Sequence, residues 1–289
     1  MVSIKKILFG GFTTISKILP TGVKQKMYSL PVVASIFRKA LNSTVEDGLS
    51  TVEITAGSLK GTLIELNMKK EKSRWLGTYE PELEQALMKY VKEGMVAYDV
   101  GANIGYVTLW FSKFVGDTGK VVSFEPLPAN AQRIRKNISL NKINNVELIE
   151  AAVIDQEKSV TFYEHESVGM GKAEGSAGRT DQLYKNSFEV KGICLDDLVY
   201  KQNTPKPSII KIDIEGGEVL ALPGMLRIIR EEKPILMLEL HGPESERVTW
   251  ELLTGNGYSL YAMDNDSVKL NSIDQLKWKA YVIALPTTG

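Results

Sequence analysis

The stretch Val96-Ala-Tyr-Asp-Val-Gly-Ala-Asn-Ile-Gly-Tyr-Val-Thr-Leu109 constrains the fold most, because an apolar run ends in an acid, Asp99, with two glycines just beyond it. That pattern predicts a strand, a tight glycine turn and a helix N-terminus. Two nucleotide-type ligands use such a turn. A dinucleotide sets its anionic pyrophosphate on the helix N-terminus, over glycines in a G-x-G-x-x-G frame. Here Gly101 and Gly105 stand in a G-x-x-x-G frame, and Asp99 would repel phosphate. S-adenosylmethionine has no phosphate and carries a sulfonium and an ammonium, which a carboxylate beside the turn attracts. A structural turn with no ligand is the alternative.

At 289 residues, 43% hydrophobic and 24% charged, the chain can bury one substantial core plus an extension. Equal numbers of basic and acidic residues, 35 each, give no global pointer to nucleic acid. The one cysteine, Cys194, cannot form an intrachain disulfide, which points to a reducing, cytoplasmic setting; it reads as a buried structural thiol. Residues 1–45 hold Lys5, Lys6, Lys17, Lys24, Lys26, Arg38 and Lys39, and no acid precedes Glu46. Ile4, Ile7, Leu8, Phe12, Ile15, Ile18 and Leu19 recur at helical spacing, so this is a basic amphipathic helix. Such a helix docks on its own domain or lies peripherally on an anionic membrane. Its apolar run is too short and too interrupted for a secretory signal, and no segment has the roughly 18 apolar residues of a membrane span.

The chain divides into three regions: a helical extension over 1–48, a small strand and helix region over 49–90, and a core over 91–289. Residues 51–68 read as a hairpin or small sheet and Glu82 to Tyr90 as a helix. From about Val91 the pattern alternates. Strands are predicted at 96–100, 120–125, 146–153, 208–214, 234–241, 257–263 and 279–285, with helices at 103–115, 127–141, 217–230 and 244–254. Units of this length give an α/β, mostly parallel sheet covered on both faces. Two further strand-like runs, Ser159–Tyr163 and Phe188–Ile193, flank a glycine- and serine-rich stretch, Ser167–Arg179, read as a surface loop or a lid.

Ligands of open α/β sheets bind beyond the carboxyl ends of the strands. The second strand ends in Glu125, about 20 residues past the glycine turn, where a carboxylate accepts the two ribose hydroxyls of an adenosine; Pro126 fixes the next turn. The third leads through Ala151 and Ala152, small enough to admit a flat adenine, to Asp155, which could accept its amino hydrogens or simply suit a turn. The fourth runs Ile209-Ile-Lys-Ile-Asp-Ile-Glu-Gly-Gly-Glu218, where Asp213 and Glu215, one residue apart, would project from one face of an extended chain. They could position a hydroxyl, remove a proton or bind a cation; alternatively Glu218 favours a helix N-terminus that Asp213 caps. The fifth ends at His241, a candidate general base or a structural histidine.

Asp99-Val-Gly-Ala-Asn-Ile-Gly-Tyr106, Phe124-Glu-Pro126 and Lys211-Ile-Asp-Ile-Glu-Gly-Gly-Glu218, in this order and spacing, resemble the FkbM family of S-adenosylmethionine-dependent methyltransferases; Gly77-Thr-Tyr-Glu-Pro81 resembles its segment before the first strand. The resemblance runs from about Leu49 to Leu285. It implies a class I methyltransferase (Rossmann-like) sheet of seven strands with the last antiparallel, and usually O-methylation of a sugar or natural-product hydroxyl. By position, Asp99, Gly101, Asn103, Gly105 and Glu125 would hold the cofactor, and Tyr79, Glu80, Asp213, Glu215 and His241 would border the acceptor; the reading of the turn and strand ends adds Ala102, Pro126 and Asp155 to the cofactor candidates. Asp213, Glu215 and His241 are the catalytic candidates.

No Asp/Asn-Pro-Pro-Tyr stands after the fourth strand, so methylation of adenine or glutamine nitrogen is disfavoured. The expected enzyme is an O-methyltransferase acting on a small-molecule or glycan acceptor, a saccharide, glycolipid or natural product, without nucleic acid. No metal is predicted, although Asp213 and Glu215 offer hard oxygen ligands suited to magnesium. The rivals are a nicotinamide-dependent oxidoreductase, which the glycine frame and Asp99 oppose, and a non-catalytic protein that keeps the cofactor fold for binding.

Overall fold

The computed structural model describes residues 48–165, 170–178, 184–263, 268–276 and 280–287, together with Gly11 and Val23. Apart from those two positions, the amphipathic helix expected within residues 1–45 lies outside the described residues, as do 166–169 and Arg179 of the glycine-rich loop. The chain forms two compact units, Met1–Glu84 with Lys136–Ile143, and Gln85–Arg135 with Asn144–Gly289.

In the first unit, β1 (Leu49–Glu53) and β2 (Leu63–Asn67) pair antiparallel, the expected hairpin. Alternation buries Ile64 and Leu66 from β2. The far edge of β2 is not left open: Asn141 and Asn137 accept hydrogen bonds from the Leu63 and Glu65 amides at 2.9 and 2.8 Å, which blunts a strand edge that would otherwise invite pairing. Helix α1 (Lys72–Leu76) buries Trp75 and ends at Gly77, whose left-handed φ of 66° and position 2.0 Å from the Ala56 carbonyl oxygen, measured from a Cβ built there, admit only glycine.

Helix α2 (Pro81–Tyr90) leads to the alternating core. Here the elements are β3 (Val96–Val100), α3 (Tyr106–Val115), β4 (Lys120–Phe124), α4 (Pro128–Leu140), β5 (Val146–Ile149), β6 (Ala152–Val153), β7 (Lys158–His165), β8 (Gly171–Ala173), β9 (Tyr184–Ile193), α5 (Leu195–Tyr200), β10 (Ile209–Ile212), α6 (Glu218–Ala221), α7 (Leu226–Glu231), β11 (Ile235–Glu239), α8 (Pro243–Gly255), β12 (Tyr258–Ala262) and β13 (Tyr281–Pro286). Seven of the strands form one sheet in the order β12-β13-β11-β10-β3-β4-β5. All are parallel except β13, antiparallel to both neighbours. Seven strands with one antiparallel member are the sheet that the resemblance implies. Strand β10 is central and wholly buried; each isoleucine there contributes roughly 1.5–3 kcal/mol by leaving water. Strand order reverses between β3 and β10, the kind of crevice where such sheets hold ligands.

Two expectations change. The third strand does not run on to Val153: β5 stops at Ile149, and Ala152–Val153 joins a second sheet of order β6-β9-β7-β8, with its own core of Leu127, Ala152, Ile154, Val160, Phe162, Ala173 and Val190. The helix expected at 217–230 breaks into α6, a 3-10 turn at Pro223–Met225 and α7, because Pro223 cannot supply an amide to a continuous helix.

Candidate active site

The turn after β3 is built by the sheet below it. Gly101 has φ +80°, and a Cβ there would lie 2.0 Å from the Asp213 carbonyl oxygen, so glycine lets the ends of β3 and β10 close together. The Gly101 and Ala102 amides donate to the Phe124 carbonyl at 3.1 and 2.9 Å, and the Gly105 amide to the Ala102 carbonyl at 2.8 Å. The Asn103 amide donates to Glu125 Oε2 at 2.7 Å. These four N–H groups are occupied, so none of them is offered to a pyrophosphate, which opposes the nicotinamide reading on geometry as well as on sequence.

Glu125 is buried at the end of β4. Its Oε1 accepts the Leu127 amide at 2.9 Å and Asn130 Nδ2 at 3.3 Å, and Oε2 accepts Asn103. A carboxylate has about four acceptor sites, so one on Oε2 stays open to a ribose hydroxyl. Burial pushes the carboxyl up to about 7, against the lowering effect of those hydrogen bonds. Pro126, half-buried, comes next in the chain.

Asp99 is enclosed beneath the turn rather than facing a ligand. Register sets it beside Lys211 on β10. Its Oδ2 accepts Thr108 Oγ1 at 2.6 Å, and Oδ1, which makes no hydrogen bond, lies 3.7 Å from Lys211 Nζ. Burial raises its pKa, opposed by Lys211 and Thr108. Lys211 also donates to the Gly101 carbonyl at 3.1 Å and stands 3.4 Å from Asp213 Oδ2. The cation next to Asp99 is therefore a lysine of the chain, and direct contact with a sulfonium is not its geometry.

At the ends of β10 and β11 the carboxylates converge on one imidazole. His241 Nδ1 lies 3.2 Å from Glu218 Oε1, while Nε2 faces Glu239 Oε1 at 3.5 Å, Glu215 Oε2 at 3.6 Å and Asp213 Oδ1 at 3.9 Å. Glu218 is fully buried and takes a hydrogen bond from Ser245 Oγ at 2.8 Å. Its role is thus not that of an exposed charge at a helix N-terminus, and Gly217, not Asp213, caps α6. Asp213 and Glu215 do share a side, but not through an extended chain: β10 ends at Ile212, and Glu215 sits in the left-handed region at φ 52°. Burial by itself lowers the His241 pKa, but the hydrogen bond of Glu218 and the negative charges of Glu218, Glu239 and Asp213 around the ring prevail and push it up to about 10. An imidazolium has no lone pair to accept a proton, so the general-base role expected of His241 does not suit this ionisation state.

The described part of the glycine-rich stretch packs against these strand ends. Gly171–Ala173 forms β8; Ala177 N donates to Gly216 O at 2.9 Å; a Cβ on Gly178 would stand 3.1 and 3.3 Å from the carbonyl oxygens of Glu215 and His241. Asp155, by contrast, comes after β6 of the second sheet and sits 3.8 Å from Lys158 Nζ in a turn, so the adenine contact loses its strand-end premise. Tyr79 and Glu80 belong to the smaller unit, where the Arg74 guanidinium lies 4.1 Å over the Tyr79 ring and Glu80 has φ 38°. Cys194 is buried with Sγ 3.0 Å from the Gly224 carbonyl, a structural thiol. Lys211, Glu239 and Ser245 also join the site, although the sequence reading gives none of them a role and only Lys211 falls within a motif. Each is legible there only as part of a strand or helix pattern, with Lys211 in an otherwise aliphatic strand and Glu239 two residues before His241 as the signals.

The residues around the turn fit S-adenosylmethionine better than a dinucleotide, since the glycine cradle is tight, its amides are spent and Glu125 keeps an acceptor site. Residues 99–268 match the methyltransferase FkbM domain family. A hexuronic acid methyltransferase from Haloferax volcanii is 25% identical over 176 residues, 61% of this chain and 68% of that protein. The crystal structure of methyltransferase FkbM from Methylobacillus flagellatus is similar at 18% identity and a TM-score of 0.44, over 73% of this chain and about half, 52%, of that one. Fibrillarin from Aeropyrum pernix, solved with natively bound S-adenosyl-L-methionine, is similar at 12% identity and a TM-score of 0.40, over 68% of each chain.

Proposed function

Because the chain belongs to the FkbM family of S-adenosylmethionine-dependent methyltransferases, we propose that it methylates an oxygen of a saccharide or saccharide-bearing small molecule. The observation that carries the acceptor class is the similarity to a hexuronic acid methyltransferase. The strand ends agree with it: β10 leads into Asp213-Ile-Glu-Gly-Gly217, carboxylates that suit hydroxyl groups, in place of the Pro-Pro-Tyr loop of nitrogen methylation. When bound, S-adenosylmethionine supplies an electrophilic methyl group on a sulfonium.

In this reading Gly101, Ala102, Asn103 and Gly105 shape the cofactor cradle and Glu125 accepts the ribose hydroxyls. Lys211 holds Asp99, Asp213 and the Gly101 carbonyl in one array, which couples the cradle to the acceptor side. Glu215, with 27% of its side chain exposed, is the group open to an incoming hydroxyl and takes its proton. Displacement needs the acceptor oxygen aligned behind the carbon–sulfur bond, so positioning supplies much of the rate.

The test is transfer of labelled methyl from S-adenosylmethionine to a panel of uronic acid saccharides, neutral saccharides and nitrogen nucleophiles, after binding of S-adenosylhomocysteine and not NADH is established by calorimetry. Label on saccharide oxygen is expected, with Glu215→Gln slower by about 10²–10⁴-fold at near-parental S-adenosylhomocysteine affinity. Label on nitrogen alone, or NADH binding without a response to S-adenosylhomocysteine, overturns the proposal.

A further inference from the structure

We infer that Asp213, Glu239 and His241 form a binding site for one divalent transition-metal cation, and, resting on the methyl-transfer reading, that this cation sits beside the acceptor oxygen. One ligand atom from each of the three residues lies within 4.8 Å of the other two. The two separations from His241 Nε2, 3.5 Å to Glu239 Oε1 and 3.9 Å to Asp213 Oδ1, are too long for hydrogen bonds, which run at about 2.7–3.2 Å. They are close to the spacing of ligands around a cation: at metal–ligand distances of about 2.0–2.2 Å, two tetrahedral ligands stand roughly 3.3–3.6 Å apart.

The second observation is independent of the carboxylates. His241 is 3% exposed, and its Nε2 makes no hydrogen bond although it is aimed into the cluster. Its other nitrogen is held by Glu218 Oε1, and Glu218 is fixed in turn by Ser245 Oγ and, at 3.4 Å, by the Ile214 amide. A carboxylate on one ring nitrogen that directs the other is the arrangement in which histidines ligate metals. Lys211 does not compete for the same atoms, because it faces Asp213 Oδ2 while Oδ1 turns to His241. Nor is a sulfonium an adequate occupant: it could satisfy the carboxylates, but only a metal cation also displaces the Nε2 proton of the imidazolium to solvent and takes the lone pair so freed.

An imidazole among the donors favours manganese, iron or zinc over magnesium or calcium, which take oxygen ligands throughout. Asp213, with 23% of its side chain exposed, gives the cation a route in, and three protein ligands leave coordination positions for water or an acceptor oxygen. The sequence predicts no metal and offers only Asp213 and Glu215 as hard oxygen ligands; the set inferred from the structure is drawn instead from two strand ends.

Full-length protein stripped with chelator and titrated with manganese chloride, followed by the electron paramagnetic resonance of free Mn²⁺, tests this directly. One saturable site per chain is expected, displaced by Zn²⁺ and not by equal Mg²⁺. Asp213→Asn and His241→Gln should abolish it, and Glu218→Gln should loosen it by about 10–100-fold, each variant shown to be folded by binding S-adenosylhomocysteine. A parental chain that binds S-adenosylhomocysteine but shows no saturable Mn²⁺ or Zn²⁺ binding overturns the metal site and leaves the methyltransferase reading standing. Undiminished Mn²⁺ binding in both folded ligand variants overturns it too. Saturable metal binding without S-adenosylhomocysteine binding supports the site and sinks the methyl-transfer reading instead.

Discussion

At the scale of single residues, Glu125 carries the sharpest consequence. Its carboxyl is held near 7 in the folded chain against 4.5 as a free side chain, chiefly by burial. Between those two pH values the folded state binds more protons than the unfolded state, so stability falls as pH rises from about 4.5 to about 7, by at most ~3 kcal/mol. A ribose hydroxyl donating to Oε2 favours the ionised carboxylate, so cofactor affinity has the opposite slope and rises through about pH 7. Glu125→Gln should flatten both profiles and weaken S-adenosylhomocysteine binding by about 1.5–3 kcal/mol. Urea midpoints and calorimetric affinities at pH 5.5 and 8 check it; an unaltered pH dependence in the variant would show that another buried acid, such as Asp99, sets the slope. Glu125 was legible in the sequence because its distance from the glycine turn is dictated by one strand-helix-strand repeat. Glu239 was not read, because Leu236-Met-Leu-Glu239 looks like an ordinary strand, although its position two residues before His241 is the signal that sets the two on one side.

At the scale of elements, local pattern predicted what local physics decides. All seven strands of the main sheet were legible, since buried parallel strands read as short aliphatic runs between turn residues. The second sheet was not: its outer strand, Gly171-Lys-Ala173, is too short to show alternation, and β6 is two residues whose partner lies forty residues on, at Gly192 and Ile193. The helix break at Pro223 could have been read from the proline, while the companion constraint could not: Gly224 packs so closely on Ile154 that a Cβ would come 2.3 Å from its carbonyl oxygen. Close approach of this kind also makes Gly101 the hinge of the site. Gly101→Ala forces a side chain into a left-handed backbone, costing about 1–3 kcal/mol, and drives its Cβ into the Asp213 carbonyl. The ends of β3 and β10 must then separate, which pulls the Gly101 carbonyl from Lys211. We expect loss of S-adenosylhomocysteine binding together with a lower urea midpoint. Parental affinity and stability in Gly101→Ala would mean that the contact between the two strand ends is not what shapes the cradle.

At the scale of the whole molecule, a formal charge of zero conceals segregation. Residues 1–45 contain seven cations and no acid, so the remaining chain holds 28 basic residues against 35 acidic ones. The segment carrying the positive charge is also the one with helical spacing of apolar residues, and no helix among the described residues is long and apolar enough to cross a membrane. Two partners are electrostatically open to it, an anionic lipid surface and the acidic remainder of its own chain. They differ in what salt and lipid charge do. Each lysine near an anionic surface contributes about 1 kcal/mol, an attraction that fades beyond a Debye length of about 8 Å at physiological salt. If the segment carries the enzyme to a lipid-linked acceptor, the full chain should float with anionic vesicles at low salt, sink with zwitterionic ones, and lose flotation when Lys5, Lys6, Lys17, Lys24 and Lys26 are all changed to Gln. S-adenosylhomocysteine affinity should be the same in both chains, because every motif of the cofactor site begins at Asp99 or later. A parental chain that stays with the soluble fraction at low salt removes the membrane from the account, and the basic segment is then a docking element for its own acidic partner.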